Sequence, residues 1–130
     1  MIFVAYLHNQ TMKYKYVYRV EHKKTKKGPY CGNWEVVDAM SNDLPEPAYD
    51  DELYNVRVKK SHVFGAPTKN TMREWIVDSA TLHRHSYVVR KYKVEVDKVM
   101  SSKIQSIFYK RGSSVVEEYN IVEFKKGKKK

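Results

Sequence analysis

The stretch Tyr14-Lys15-Tyr16-Val17-Tyr18-Arg19-Val20-Glu21-His22 decides the fold class. Its even positions carry Tyr14, Tyr16, Tyr18, Val20 and His22. Its odd positions carry Lys15, Val17, Arg19 and Glu21, extended backwards by Lys13. Alternation of period two marks a half-buried strand, and Tyr and Val fit a pleated surface. This predicts a strand whose tyrosine face turns inward, with Tyr16 and Tyr18 in the core and their hydroxyls at its edge. Lys23 to Gly28 then reads as a polar turn closed by Gly28-Pro29.

Working outward, Ile2 to Leu7 is a short apolar run, either a strand or a disordered lead. Trp34 to Met40 fits a short helix or strand. Leu44-Pro45-Glu46-Pro47 excludes regular structure and opens a long acidic surface loop over residues 43–52. Asn55 to Lys60 alternates weakly around Val56 and Val58, as a short strand would. The principal helix is predicted over about 68–83, with Thr68, Asn70 or Thr71 as cap. With Thr71 as cap, Glu74 would complete a capping box. Met72, Trp75, Ile76, Ser79 and Leu82 form its apolar stripe. Tyr87 to Val96, Lys103 to Lys110 and Val115 to Phe124 read as strands, the last two joined as a hairpin through Gly112-Ser113. The expected architecture is therefore α+β, a mainly antiparallel sheet with one principal helix. It forms a single domain over 1–124, followed by a basic disordered tail, 125–130.

Composition narrows the function classes. The chain has 130 residues, 42% of them hydrophobic, enough for one core. No run of 18 apolar residues predicts a membrane span, and Met1 to His8 lacks the features of a signal peptide. A single cysteine, Cys31, leaves no internal disulfide framework. These features point to a soluble, cytoplasmic protein. Lys and Arg number 25 against 15 Asp and Glu, a net charge of +10. The acids Asp43, Glu46, Asp50, Asp51 and Glu52 are segregated into one loop. Positive charge gathers at Lys13, Lys15, Arg19, Lys23, Lys24, Lys26 and Lys27, and in the terminal lysines. Such a surface attracts polyanions and steers acidic protein partners.

No complete catalytic constellation is legible. His83-Arg84-His85 lacks the third and fourth ligands a zinc site needs, and on a helix the two histidines diverge. It suits the cationic end of a helix, and no metal is expected. His22 stands without a nucleophile. Cys31 lacks a papain-like or redox signature. Tyr14, Tyr16 and Tyr18 suggest base stacking, but Lys13, Lys15 and Arg19 project from the opposite face of the same strand.

Tyr18-Arg19-Val20-Glu21-His22 followed by Gly28-Pro29-Tyr30 resembles the opening of a group of small bacteriophage proteins with a YRVE…GPY signature. Pro45-Glu46-Pro47, Phe64-Gly65, Trp75, Tyr92-Lys93-Val94 and Gln105-Ser106-Ile107-Phe108 are similar to their later parts. The order also resembles ADP-ribosyltransferase-like folds. That resemblance implies an NAD pocket from Arg19, His22, Tyr30, Phe64 and Gln105, with Gln105 standing where a catalytic Glu is expected. A glutamine cannot supply that carboxylate's charge.

Three functions follow as expectations. The first is a phage-encoded basic binding or inhibitor module acting on a host or defence protein, or a nucleoprotein, in host takeover or anti-defence. The second is direct nucleic-acid binding. The third is an NAD-dependent, ADP-ribosyltransferase-like enzyme, the only reading that requires a cofactor. The first ranks ahead, which makes an enzyme the less favoured class.

Overall fold

The computed structural model describes residues 13–30, 33–41 and 61–127. The predicted strand is β1, Tyr14–His22, with the bounds expected from its alternation. After it come α1 (Trp34–Asp38), β2 (His62–Gly65), α2 (Lys69–Trp75), α3 (Ser79–Arg84) and β3 (Tyr87–Glu95). A 3-10 turn at Val96–Lys98 leads into β4 (Val99–Ser101), β5 (Ser106–Tyr109), β6 (Ser114–Asn120) and α4 (Ile121–Lys125). The acidic loop, the strand expected over Asn55 to Lys60, the lead Ile2 to Leu7, and Cys31 lie outside the described residues.

Among the described residues the fold is α+β with antiparallel pairing throughout, divided between two three-stranded sheets. One has the order β1-β3-β6, the other β2-β5-β4. The hairpin expected through Gly112-Ser113 does not form. β5 pairs with β2 and β4, whereas β6 crosses to pair with β3. Gly112, at φ +86°, turns the chain between sheets instead. The local turn signal was right, but the partner of each strand is a long-range choice. Residues 121–124, expected to continue the last strand, form α4 instead, because Asn120 caps it by accepting from the Val122 and Glu123 N–H groups.

The stretch 68–83 is helical over most of its length, with Thr68 as the cap accepting from the Thr71 N–H. It bends at Ile76, which adopts an extended conformation and bridges Met40. Val77 and Asp78 both donate to the Ala39 carbonyl. Asp78 then caps α3, accepting from the Thr81 N–H and hydroxyl. The stripe survives the bend, because Met72, Ile76 and Leu82 all face the core.

Within sheet β1-β3-β6, the central part of β1 and β3 is buried on both faces, while β6 stays largely exposed. One face, with Tyr18, Val20, Tyr87 and Val89, packs beneath Met72, Ile76, Leu82, Ile121 and Phe124 of the helices. The other, with Val17, Tyr92 and Val94, packs against Val99 and Phe108 of the second sheet. Tyr18 is therefore core, as expected. Tyr16 is not: it stays 46% exposed, because the helical layer does not cover the Tyr14–Tyr16 end of β1. Lys125, expected to open the tail, is the last residue of α4, and its ammonium donates to the Arg73 carbonyl.

Candidate functional site

Glu21 shares β1's odd-numbered face with Val17 and Arg19, and it is fully buried. A buried carboxylate is costly unless it is paired and hydrogen-bonded. Arg19 Nε reaches it at 2.9 Å, Arg90 Nη1 at 3.1 Å and Lys110 Nζ at 2.7 Å. The Tyr92 hydroxyl donates to both of its oxygens. Sheet register explains the convergence. Arg19 lies directly opposite Arg90, and Arg90 opposite Glu118, so one cross-strand row holds all three. Arg90 Nε completes the row on Glu118 at 3.0 Å. Lys110 arrives from the end of β5, so the cluster joins the two sheets.

Burial alone would push the Glu21 carboxyl up. Lys110, Tyr92 and Arg90 outweigh that and hold it below the ordinary carboxylate value. The Tyr92 hydroxyl moves the opposite way, raised by burial and then by its bond to Glu21.

The donors left over determine the local surface. Arg90 Nη2 donates to the Lys23 carbonyl at 3.0 Å, and Lys110 Nζ donates to the Lys26 carbonyl at 2.8 Å. His22 Nδ1 accepts from the Lys24 and Thr25 N–H groups. The Lys26 N–H donates to the His22 carbonyl, and the His22 N–H donates to the Lys27 carbonyl. Lys26 is held at φ +63°, a conformation uncommon for a residue with a Cβ. The basic turn is thus a built structure anchored to the buried cluster, with Lys23, Lys24, Lys26 and Lys27 exposed on it.

The other residues named from sequence fall as follows. Lys13 and Lys15 are exposed at the start of β1. Arg19 is committed to Glu21, to the Phe64 carbonyl through Nη1 at 2.7 Å, and lies against Gly28. It is not a free surface cation. Of the five pocket residues, Arg19 and Phe64 are brought together through that carbonyl. The His22 ring packs edge-on against Tyr87 while organising the turn. Tyr30 is half exposed, and Gln105 is buried just ahead of β5. His83 and Arg84 occupy the last turn of α3, where Arg84 pairs with Glu35 of α1.

A second feature lies on the uncovered end of the tyrosine face. Tyr16 stands opposite Lys93, and Tyr18 opposite Lys91. Lys91 Nζ sits 4.4 Å from the Tyr16 ring centre, and Lys93 Nζ 4.3 Å from that of Tyr14. The neighbouring strand therefore supplies the cations that β1 places on its other face. The objection drawn from one strand's alternation does not hold for the sheet.

Sequence reasoning missed Glu21, Arg90, Tyr92, Lys110, Lys91 and Lys93. One signal was available. Val88-x-Arg90-x-Tyr92-x-Val94 is an apolar alternation interrupted by one arginine, the pattern of a buried cation that needs a carboxylate.

Together these features define a small α+β protein of two antiparallel sheets clamped by a buried ionic cluster beneath a basic turn. The model of the Bacteriophage T4 Y00F protein family matches residues 12–122. The chain belongs to that family, and the phage affiliation suggested by the YRVE…GPY pattern holds. No curated protein and no solved structure matches the chain.

Proposed function

We propose that this chain is a phage-encoded, non-enzymatic binding module. It grips an anionic surface of a host protein or nucleoprotein complex inside the bacterial cell, in host takeover or anti-defence. One observation carries the reading. The Lys23–Lys27 turn is held from below by the Glu21 cluster, and its four lysine side chains make no ion pair among the described residues. A preformed turn binds without the ordering cost of a loose loop, and its charge speeds encounter with an acidic partner. The net charge of +10 acts in the same direction.

The NAD-consuming alternative has less behind it. Arg19, the residue that would hold NAD, spends its Nε and Nη1 donors on Glu21 and the Phe64 carbonyl.

The test is capture of host components by the immobilised full chain across a salt series, with and without nuclease. Binding should weaken steeply as salt rises. Replacing Lys23, Lys24, Lys26 and Lys27 by Glu should abolish it. Capture that ignores both salt and the charge reversal would refute the reading.

A further inference from the structure

We infer that the uncovered Tyr14–Tyr16 end of the sheet is a binding face for single-stranded nucleic acid, with Tyr16 as the base-stacking ring. This rests on the reading of the protein as an anion-directed binding module and names a ligand class for a second surface.

A groove of about 480 Å³ runs along the open edge of β1, lined by Lys15, Tyr16, Tyr18, Pro67, Thr68, Lys69 and Ser101. That volume lies within the range of ligand sites, roughly 300–1,000 Å³. Its chemistry is selective. Tyr16 presents a large exposed ring, and Pro67 adds an apolar wall. Lys15 and Lys69 bring positive charge to the rim, and Lys93 stands across the sheet from Tyr16. Lys91 is already committed to Glu117 at 3.2 Å, so it braces the Tyr16 ring and is not counted toward the ligand. Lys15 makes no ion pair among the described residues, and Lys69 approaches the Tyr119 ring at 5.3 Å and feels Glu117 electrostatically without a direct ion pair.

An exposed aromatic flanked by cations fits a ligand that alternates flat rings with negative charges, which is what a single strand offers. A duplex hides its ring faces, so it could use only the lysines. An acidic peptide would use the cations and leave Tyr16 with nothing to stack on.

The test is fluorescence anisotropy of the full chain with labelled oligothymidylate of about 12 nucleotides, within the usual span of such sites. An oligouridylate and a DNA duplex of equal length run beside it. The single strands should bind more tightly than the duplex, and the better of the two identifies DNA or RNA as the source. Tyr16→Ala should weaken single-strand binding about five- to hundredfold, the usual effect of losing one stacking ring. Tyr16→Phe should retain it. Lys69→Glu, an exposed change that spares the stacking ring, should weaken binding and flatten its salt dependence.

Equal binding by Tyr16→Ala, or a duplex bound as tightly as the single strand, would overturn the assignment. If the wild-type chain ignores both oligonucleotides yet captures host components through the lysine turn, this inference falls and the binding-module reading stands. If salt-dependent capture is also absent, both fall.

Discussion

The Tyr92 hydroxyl donates to both carboxylate oxygens of Glu21, at 2.6 and 2.7 Å. Tyr92 is paired across the sheet with Val17, four residues along β1 from Glu21, on the same face. The ring therefore lies along the sheet and bridges the apolar layer to the ionic cluster, with its far side against Phe108. The contact ties the hydrophobic and the charged halves of the interface between the sheets into one unit.

Removing the charge on Glu21 leaves Arg19 and Lys110 without a carboxylate among the described residues and leaves the buried Arg90 with Glu118 alone. Glu21→Gln should cost about 3–5 kcal/mol, the usual cost of breaking a buried pair from one side. Denaturant unfolding checks it. A loss under about 1 kcal/mol would mean that the cluster contributes little to the fold.

The same carboxylate makes stability depend on acid. Its folded pKa lies below the ordinary value of 4.5, so its contribution is present above that pH and is lost as pH falls further, through the folded pKa. Wild-type melting temperature should drop across this window. Glu21→Gln should start lower and flatten that part of the profile.

At the alkaline end the sign reverses. The Tyr92 hydroxyl is raised by burial and Glu21, and that of Tyr119 is pushed up to about 12. Their contribution is complete below pH about 10 and is lost as pH rises through the folded values. Absorbance titration of tyrosinate should show a late-titrating fraction that merges with the rest on unfolding. Tyr92→Phe keeps the ring contact and should cost about 1–3 kcal/mol, since Glu21 loses a buried donor.

Gly65 sits where β2 meets β1. A Cβ there would lie 2.5 Å from Val17 Cγ1 and 2.6 Å from the Tyr18 carbonyl oxygen. The oxygen belongs to the bridge between Tyr18 and Ala66, so it cannot move aside cheaply. Gly65→Ala should destabilise by about 1–3 kcal/mol or more. Gly28→Ala, which meets only the Arg19 guanidinium at 3.1 Å, should cost less.

His22 shapes the lysine turn without adding to its lysines. His22→Ala should leave the four lysines in place, lower stability by about 1 kcal/mol, and speed amide exchange at Lys24 and Thr25. Binding to an anionic partner should weaken several-fold if turn order matters. Unchanged affinity would show that charge alone carries the contact.

The sequence by itself determined β1 to the residue, the existence of β3, the helical stretch after Pro67 and the basic turn, and it narrowed the helix cap to Thr68, Asn70 or Thr71, of which the structure uses Thr68. Each rests on local periodicity or on a side chain that bonds its own backbone. Tertiary structure decided the rest. Whether β6 pairs with β5 or β3 depends on residues far apart in the chain. So does the bend at Ile76, where Met40 and Ala39 capture the backbone, and so does the exposure of Tyr16, left bare because no helix reaches it. The buried cluster shows the limit most clearly. Along β1, Glu21 looks like any polar position on a strand's solvent face. Only a second sheet packed over that face turns it inward, and only Arg90 and Lys110, brought in by strand pairing and sheet stacking, make its burial tolerable.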